Sequence, residues 1–340
     1  MKQIILLACL LIGAAAPLRG ELVSEAVHGP SLADNLIGDD ARRNVLVYLP
    51  PGYAGSIDRQ YPAVYLLHSF NASNRTWLGE SGYQGMDVTV LLDLLIRSGR
   101  IEPMIVVMPD AANRFGGSWY ANSPSTGLWE DFVARDLVSF VDRKYRTVDD
   151  RRGRGIAGQS MGAYGALRIA MHFPDVFGAV LGMSAPNLVN PDPLGAPAHE
   201  AALSISDGRV AEVPLPGRVI WAKAAAFSPN TTAPPLYADL PFERTAAGIV
   251  IRDAIWKKWL QNTLAPQIGA HSASLRDLRI RLEVGSRDAL AGESMAFANA
   301  LTEKSIPFSL VVFEGGHVEG VRRQFETSVF AFFDDFFHTR

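Results

Sequence analysis

Apolar and polar positions divide this chain into short strand-like runs and longer stretches of helical period. Residues 44–49 (NVLVYL) read as a strand stopped by Pro50-Pro51-Gly52, and 63–67 and 104–108 read as buried strands, the latter stopped by Pro109-Asp110. Between those two, residues 88–96 carry apolar side chains at helical spacing. Residues 130–145 predict an amphipathic helix with Phe132, Val133, Leu137, Phe140 and Val141 on one face. A short strand at 155–158, a helix over 163–172 and a strand over 177–183 follow. The series closes with a strand at 279–284, a helix at 294–303, a strand at 308–313 and a last helix over 321–337.

Strands that alternate with helices at this spacing predict a mostly parallel sheet covered on both faces. The rhythm breaks only between about 187 and 278, where Pro and Ala are frequent and helical pieces such as 255–260 are scattered. That stretch is expected to be an insertion over the carboxyl edge of the sheet. With 340 residues, the expectation is one α/β domain carrying that insertion.

Composition narrows the class. The chain is 48% hydrophobic and 9% aromatic, enough apolar surface to offset the entropy of ordering, which excludes a disordered chain. Its 32 basic and 35 acidic side chains give a net charge of -3, which excludes the polybasic footprint of a nucleic-acid or membrane-surface binder. The first twenty residues look like an address: Lys2, an apolar run over 4–12, then small residues before Glu21. This run is too short to span a bilayer, so the reading is a secreted or periplasmic protein with no membrane span and a domain beginning at residue 21. The sole cysteine, Cys9, falls inside that run, leaving the exported chain without disulfide or thiolate metal site; a lipid anchor at Cys9 is the less favoured alternative.

The chemistry concentrates at Gly158-Gln159-Ser160-Met161-Gly162. A nucleophilic serine needs a sharp strand-to-helix turn, and flanking glycines let the backbones approach without a Cβ clash. The pentapeptide alone is a weak signal, but here a strand pattern precedes it and a helical pattern follows. Ser160 then requires a base and an orienting carboxylate, which in this architecture follow in the order acid, then histidine. Of seven histidines, only His317 follows a late strand and a flexible glycine pair, Gly315-Gly316. Asp288, after the strand at 279–284 and Gly285-Ser286-Arg287, is the preferred acid, with Glu283 and Glu293 as alternatives. The developing oxyanion needs two backbone donors, for which the N–H groups of Met161 and Phe70 are the candidates. His68 is read as a packed histidine that holds the Phe70 loop. Trp119 and Tyr120 are the candidate substrate-binding residues, as walls of an acyl or aryl pocket, whereas Trp256 and Trp259 read as core.

The chain resembles the esterase D, S-formylglutathione hydrolase and antigen 85 group of α/β-hydrolases. The matching words include Val47-Tyr48-Leu49-Pro50-Pro51-Gly52-Tyr53, Tyr61-Pro62-Ala63-Val64-Tyr65-Leu66-Leu67-His68, Ser118-Trp119-Tyr120-Ala121-Asn122, and Gly158 through Ala166. The resemblance implies an α/β-hydrolase fold and a carboxylester hydrolase with Ser160, Asp288 and His317 as triad. It also implies a small-molecule ester substrate and no metal or organic cofactor. Two departures stand out: Ser69 replaces the glycine usual after the loop histidine, and Ala163 replaces the second glycine after the motif. If position 69 requires a positive φ, the oxyanion hole would be strained. The same triad would serve an acyltransferase of the antigen 85 type, and a catalytically silent binding protein on this scaffold is a third reading.

Overall fold

The computed structural model describes residues 19–80, 82–205 and 209–339; most of the expected leader, with Cys9, lies outside them. Eight strands form one sheet: β1 (Glu21–His28), β2 (Arg42–Leu49), β3 (Ala63–Leu67), β4 (Ile105–Pro109), β5 (Arg154–Gln159), β6 (Ala179–Met183), β7 (Arg279–Gly285) and β8 (Ser309–Phe313). Their spatial order is β1-β2-β4-β3-β5-β6-β7-β8. Strand β2 runs antiparallel to both β1 and β4, and all the other pairings are parallel. Every residue of β3, β4, β5 and β6 is buried, which is why these segments read as continuous apolar runs rather than as alternating patterns.

Each strand still sends alternate side chains to opposite faces. Ala63, Tyr65 and Leu67 join one apolar cluster with Phe132, Leu137, Ile169 and Phe297; Val64 and Leu66 join a second with Leu92, Phe325 and Phe333. The first face is covered by α2 (129–144), α3 (Met161–His172) and α8 (Ala291–Glu303), the second by α1 (Val88–Arg97) and α9 (321–338). Helices α2 and α9 each contain a π-helical stretch, Phe132–Leu137 and Phe325–Val329. This is an α/β-hydrolase fold, as its strand order and layers require.

Some elements were not legible beforehand. Strand β1 is an edge strand whose inward side chains include Glu25, so its polar alternation hid it; the Glu25 carboxylate accepts from Lys144 Nζ at 2.7 Å and Tyr145 Oη at 2.5 Å. Between β6 and β7 lie α4 (Ala196–Ala202), α5 (Leu215–Phe227), a hairpin of Phe242–Thr245 with Gly248–Ile251, α6 (Asp253–Gln261) and α7 (Ser272–Arg276). From Ile220 to Phe227 every residue of α5 is buried, so it lacks the polar face that makes a helix visible in sequence. None of the helices among the described residues is long and apolar enough to cross a membrane.

Candidate active site

Ser160 stands alone between the end of β5 and the start of α3, with φ 54° and ψ -120°. That conformation costs an ordinary residue of order 1–3 kcal/mol and persists only where the surroundings impose it. Here the glycines impose it. A Cβ on Gly158 would lie 2.3 Å from the Gly162 backbone, and one on Gly162 would lie 2.1 Å from the Leu67 carbonyl oxygen. The turn closes because both positions lack a side chain, and the Ser160 amide donates to Met183 O at 2.9 Å to fix it against β6.

The three candidate polar residues meet although 128 and 29 positions separate them in sequence. His317 Nε2 lies 2.9 Å from Ser160 Oγ, and His317 Nδ1 lies 3.0 Å from Asp288 Oδ2. The other carboxylate oxygen of Asp288 accepts from the Leu290 amide at 2.9 Å. Burial raises the Asp288 pKa, but the hydrogen bonds from His317 and Leu290 outweigh it and hold the carboxyl below its usual range. An ionised Asp288 accepts a hydrogen bond from Nδ1–H, so the imidazole presents Nε2 as an acceptor toward the serine hydroxyl. The two alternative acids are engaged elsewhere: Glu283 with Arg281 and Ser328, Glu293 with the Leu188 amide. Half-buried His317 faces outward, its side chain 41% exposed, so its solvent-facing edge is open to a ligand.

The loop after β3 lies beside this group. His68 is fully buried; its Nε2 accepts from the Ala111 amide at 2.8 Å, so Nδ1 carries the proton and donates to Ser69 O at 2.8 Å. The ring therefore pins the loop to β4. Ser69 is not among the residues of positive φ, so the strain anticipated there does not arise; the left-handed residue is Asn71, φ 56°. The Phe70 ring packs over Gly116 and Gly117, and Gly117 in turn abuts Met161. Neither the Phe70 nor the Met161 amide donates to a backbone acceptor among the described residues.

Trp119 and Tyr120 are packed more deeply than a pocket wall. Tyr120 is fully buried, its ring against Gly165 and its hydroxyl donating to His68 O at 3.3 Å. Trp119 is 3% exposed and meets Tyr164 and Phe227 edge-on. Tyr120 thus supports the loop and α3 from below. Trp259 is fully buried as expected, donating to Ser228 Oγ, while Trp256 is half-buried.

Sequence reasoning passed over Gln159, whose side chain crosses the site: Nε2 donates to His317 O at 2.8 Å and Oε1 accepts from Tyr83 Oη at 2.9 Å. Tyr83 also approaches Ser69 Oγ at 3.3 Å. The residue before the nucleophile thus ties the histidine loop to the loop after β3. Its place in the pentapeptide was visible, but its partners come from distant segments. Among the described residues no cluster of His, Cys, Asp and Glu could hold a metal.

A family model described as "Putative esterase" matches residues 39–327. An esterase of Mycobacterium tuberculosis is 30% identical over 190 residues, 55% of this chain and 38% of the relative. An endo-1,4-beta-xylanase/feruloyl esterase of Xylanibacter ruminicola is 30% identical over 142 residues, 39% of this chain and 18% of that protein. The chain thus matches less than half the length of these curated relatives. Among solved structures, a ferulic acid esterase superposes with a TM-score of 0.65 at 22% identity, covering 94% of this chain and 99% of that one. The S-formylglutathione hydrolase of Staphylococcus aureus gives 0.59 at 15% identity, again covering 94% and 99%.

Proposed function

Because the chain belongs to this esterase family of α/β-hydrolases, we propose that it hydrolyses carboxylic esters with short acyl or aryl groups through Ser160, His317 and Asp288. The observation that carries the reading is the continuous chain of bonds from Ser160 Oγ through both imidazole nitrogens to the Asp288 carboxylate, 2.9 Å and 3.0 Å long. A serine hydroxyl is a poor nucleophile until a base takes its proton as it attacks. His317 Nε2 accepts that proton while Ser160 Oγ bonds to the ester carbonyl carbon. The carbonyl oxygen becomes an oxyanion that the Met161 and Phe70 amides receive. Collapse breaks the bond to the alcohol oxygen, which leaves with the proton from His317. Water, deprotonated by the same nitrogen, then releases the acid and restores Ser160. Asp288 stabilises the imidazolium formed in each half-reaction.

The test is covalent labelling. A fluorophosphonate probe is expected to modify Ser160, and Ser160→Ala is expected to lose both labelling and p-nitrophenyl acetate hydrolysis while keeping its melting temperature. An adduct mapped to another residue would refute the assignment. The reading includes export, on the strength of the apolar run ahead of Glu21; the exported chain is expected to begin between about residue 16 and Glu21 by mass spectrometry.

A further inference from the structure

Arg218 is a half-buried arginine with few partners. Many other arginines among the described residues meet carboxylates, as in Arg75 with Glu80, Arg152 with Asp150, Arg168 with Glu130 and Arg287 with Glu319, or hold backbone carbonyls, as Arg146 does. Arg218, in the first turns of α5, has a single acceptor, the side-chain oxygen of Asn71 at 3.2 Å. No carboxylate among the described residues pairs with it, and its Nε is buried without a partner. A guanidinium offers five N–H donors in a fixed fork suited to a carboxylate. One amide oxygen leaves that fork largely unfilled.

Its place gives this shortage a meaning. Asn71 directly follows Phe70, and its own backbone is fixed by φ 56° and by its amide donating to Gly116 O at 2.8 Å. The positive charge therefore sits at the rim of the loop assigned to the oxyanion, held there from the segment between β6 and β7. We infer that Arg218 binds a carboxylate carried by the ester substrate, so that the preferred substrates are anionic esters. This rests on the ester-hydrolysis reading above and specifies its substrate class. A carboxylate on the guanidinium would form charge-assisted, two-pronged bonds while the ester lies over Ser160.

Matched ester pairs test the inference. On the acyl side, 4-nitrophenyl hydrogen adipate is compared with 4-nitrophenyl hexanoate; on the alcohol side, 4-acetoxybenzoate is compared with its methyl ester. In one of the two pairs the wild-type enzyme is expected to favour the anion in kcat/KM, through KM, and the responding pair tells which side of the ester carries the charge. Arg218→Gln is expected to lower that anion-to-neutral ratio about ten-fold, the scale of one charge-assisted bond, and Arg218→Lys to lower it less. The wild-type ratio should also shrink as NaCl rises from about 20 mM to about 500 mM, a readout that needs no variant to fold. A purely structural clamp between α5 and Asn71 would depress both members of each pair alike. Equal losses, or a wild-type preference for the neutral ester in both pairs, would overturn the inference while leaving the hydrolase reading standing. Absence of turnover for all four esters would instead remove the reading on which it rests.

Discussion

At the scale of single residues, the geometry fixes which atom of each group is engaged. Asp288 spends one oxygen on the Leu290 amide and the other on His317 Nδ1, so the histidine has one tautomer to offer Ser160. Asp288→Asn keeps the size of the side chain but lets the amide present a donor to Nδ1, which favours the wrong tautomer. Its kcat/KM is expected to fall about 10³–10⁴-fold with the melting temperature little changed. Near-wild-type rates would mean that the orienting carboxylate lies elsewhere. Gln159 has a comparable logic, because its amide must donate to His317 O and accept from Tyr83 at the same time.

At the scale of elements, α2 and α3 are joined by a buried ionic group. Glu130 accepts from Arg168 Nε at 2.8 Å and pairs with His172 Nδ1 at 2.5 Å, while the other ring nitrogen of His172 meets Gln267 at 2.8 Å. The helix that begins at Ser160 is thereby fastened at its far end. Burial raises the Glu130 pKa, but the His172 hydrogen bond and the Arg168 charge outweigh it and bring the pKa down to about 2. A carboxylate whose folded pKa is depressed stabilises the fold fully above its unfolded pKa, near 4.5, and loses that contribution as pH falls toward 2. The difference corresponds to about 3 kcal/mol. Glu130→Gln is therefore expected to melt lower at pH 7 and to lose less stability than wild type between about pH 5 and pH 2. Parallel acid-unfolding curves for the two proteins would show that this carboxylate is not coupled to folding.

At the scale of the whole molecule, the helices between β6 and β7 are committed to the body of the protein. Ile255 and Trp259 of α6 are buried, and α5 is buried through most of its length. Little sustained apolar face remains on either helix to swing out at a lipid surface. Hydrolysis of p-nitrophenyl esters is expected to be fastest for short acyl chains and to pass smoothly through the substrate's micelle concentration. Each added methylene is worth about 0.8 kcal/mol only while it finds protein to contact. A maximum at long acyl chains, or a jump in rate at the micelle threshold, would contradict this.

How much of this was legible in the chain follows from the range of the forces involved. The central strands and the amphipathic α2 could be read because burial writes itself into local period, and the Ser160 turn because backbone crowding demands glycine at 158 and 162. His317 and Asp288 were legible as positions after strands, since chain order in this architecture is a matter of topology. What only the tertiary structure decided depends on groups brought together from far apart. It placed Trp119 and Tyr120 in the core, because the chain turns at φ 57° and 48° and folds both rings beneath α3. It removed strain from Ser69, because the loop turns at Asn71 instead. It also hid α5 and β1 from any reading of pattern, since one lacks a polar face and the other turns a carboxylate inward. And it set Arg218 beside Asn71, 147 positions away, a meeting no local pattern of charge encodes.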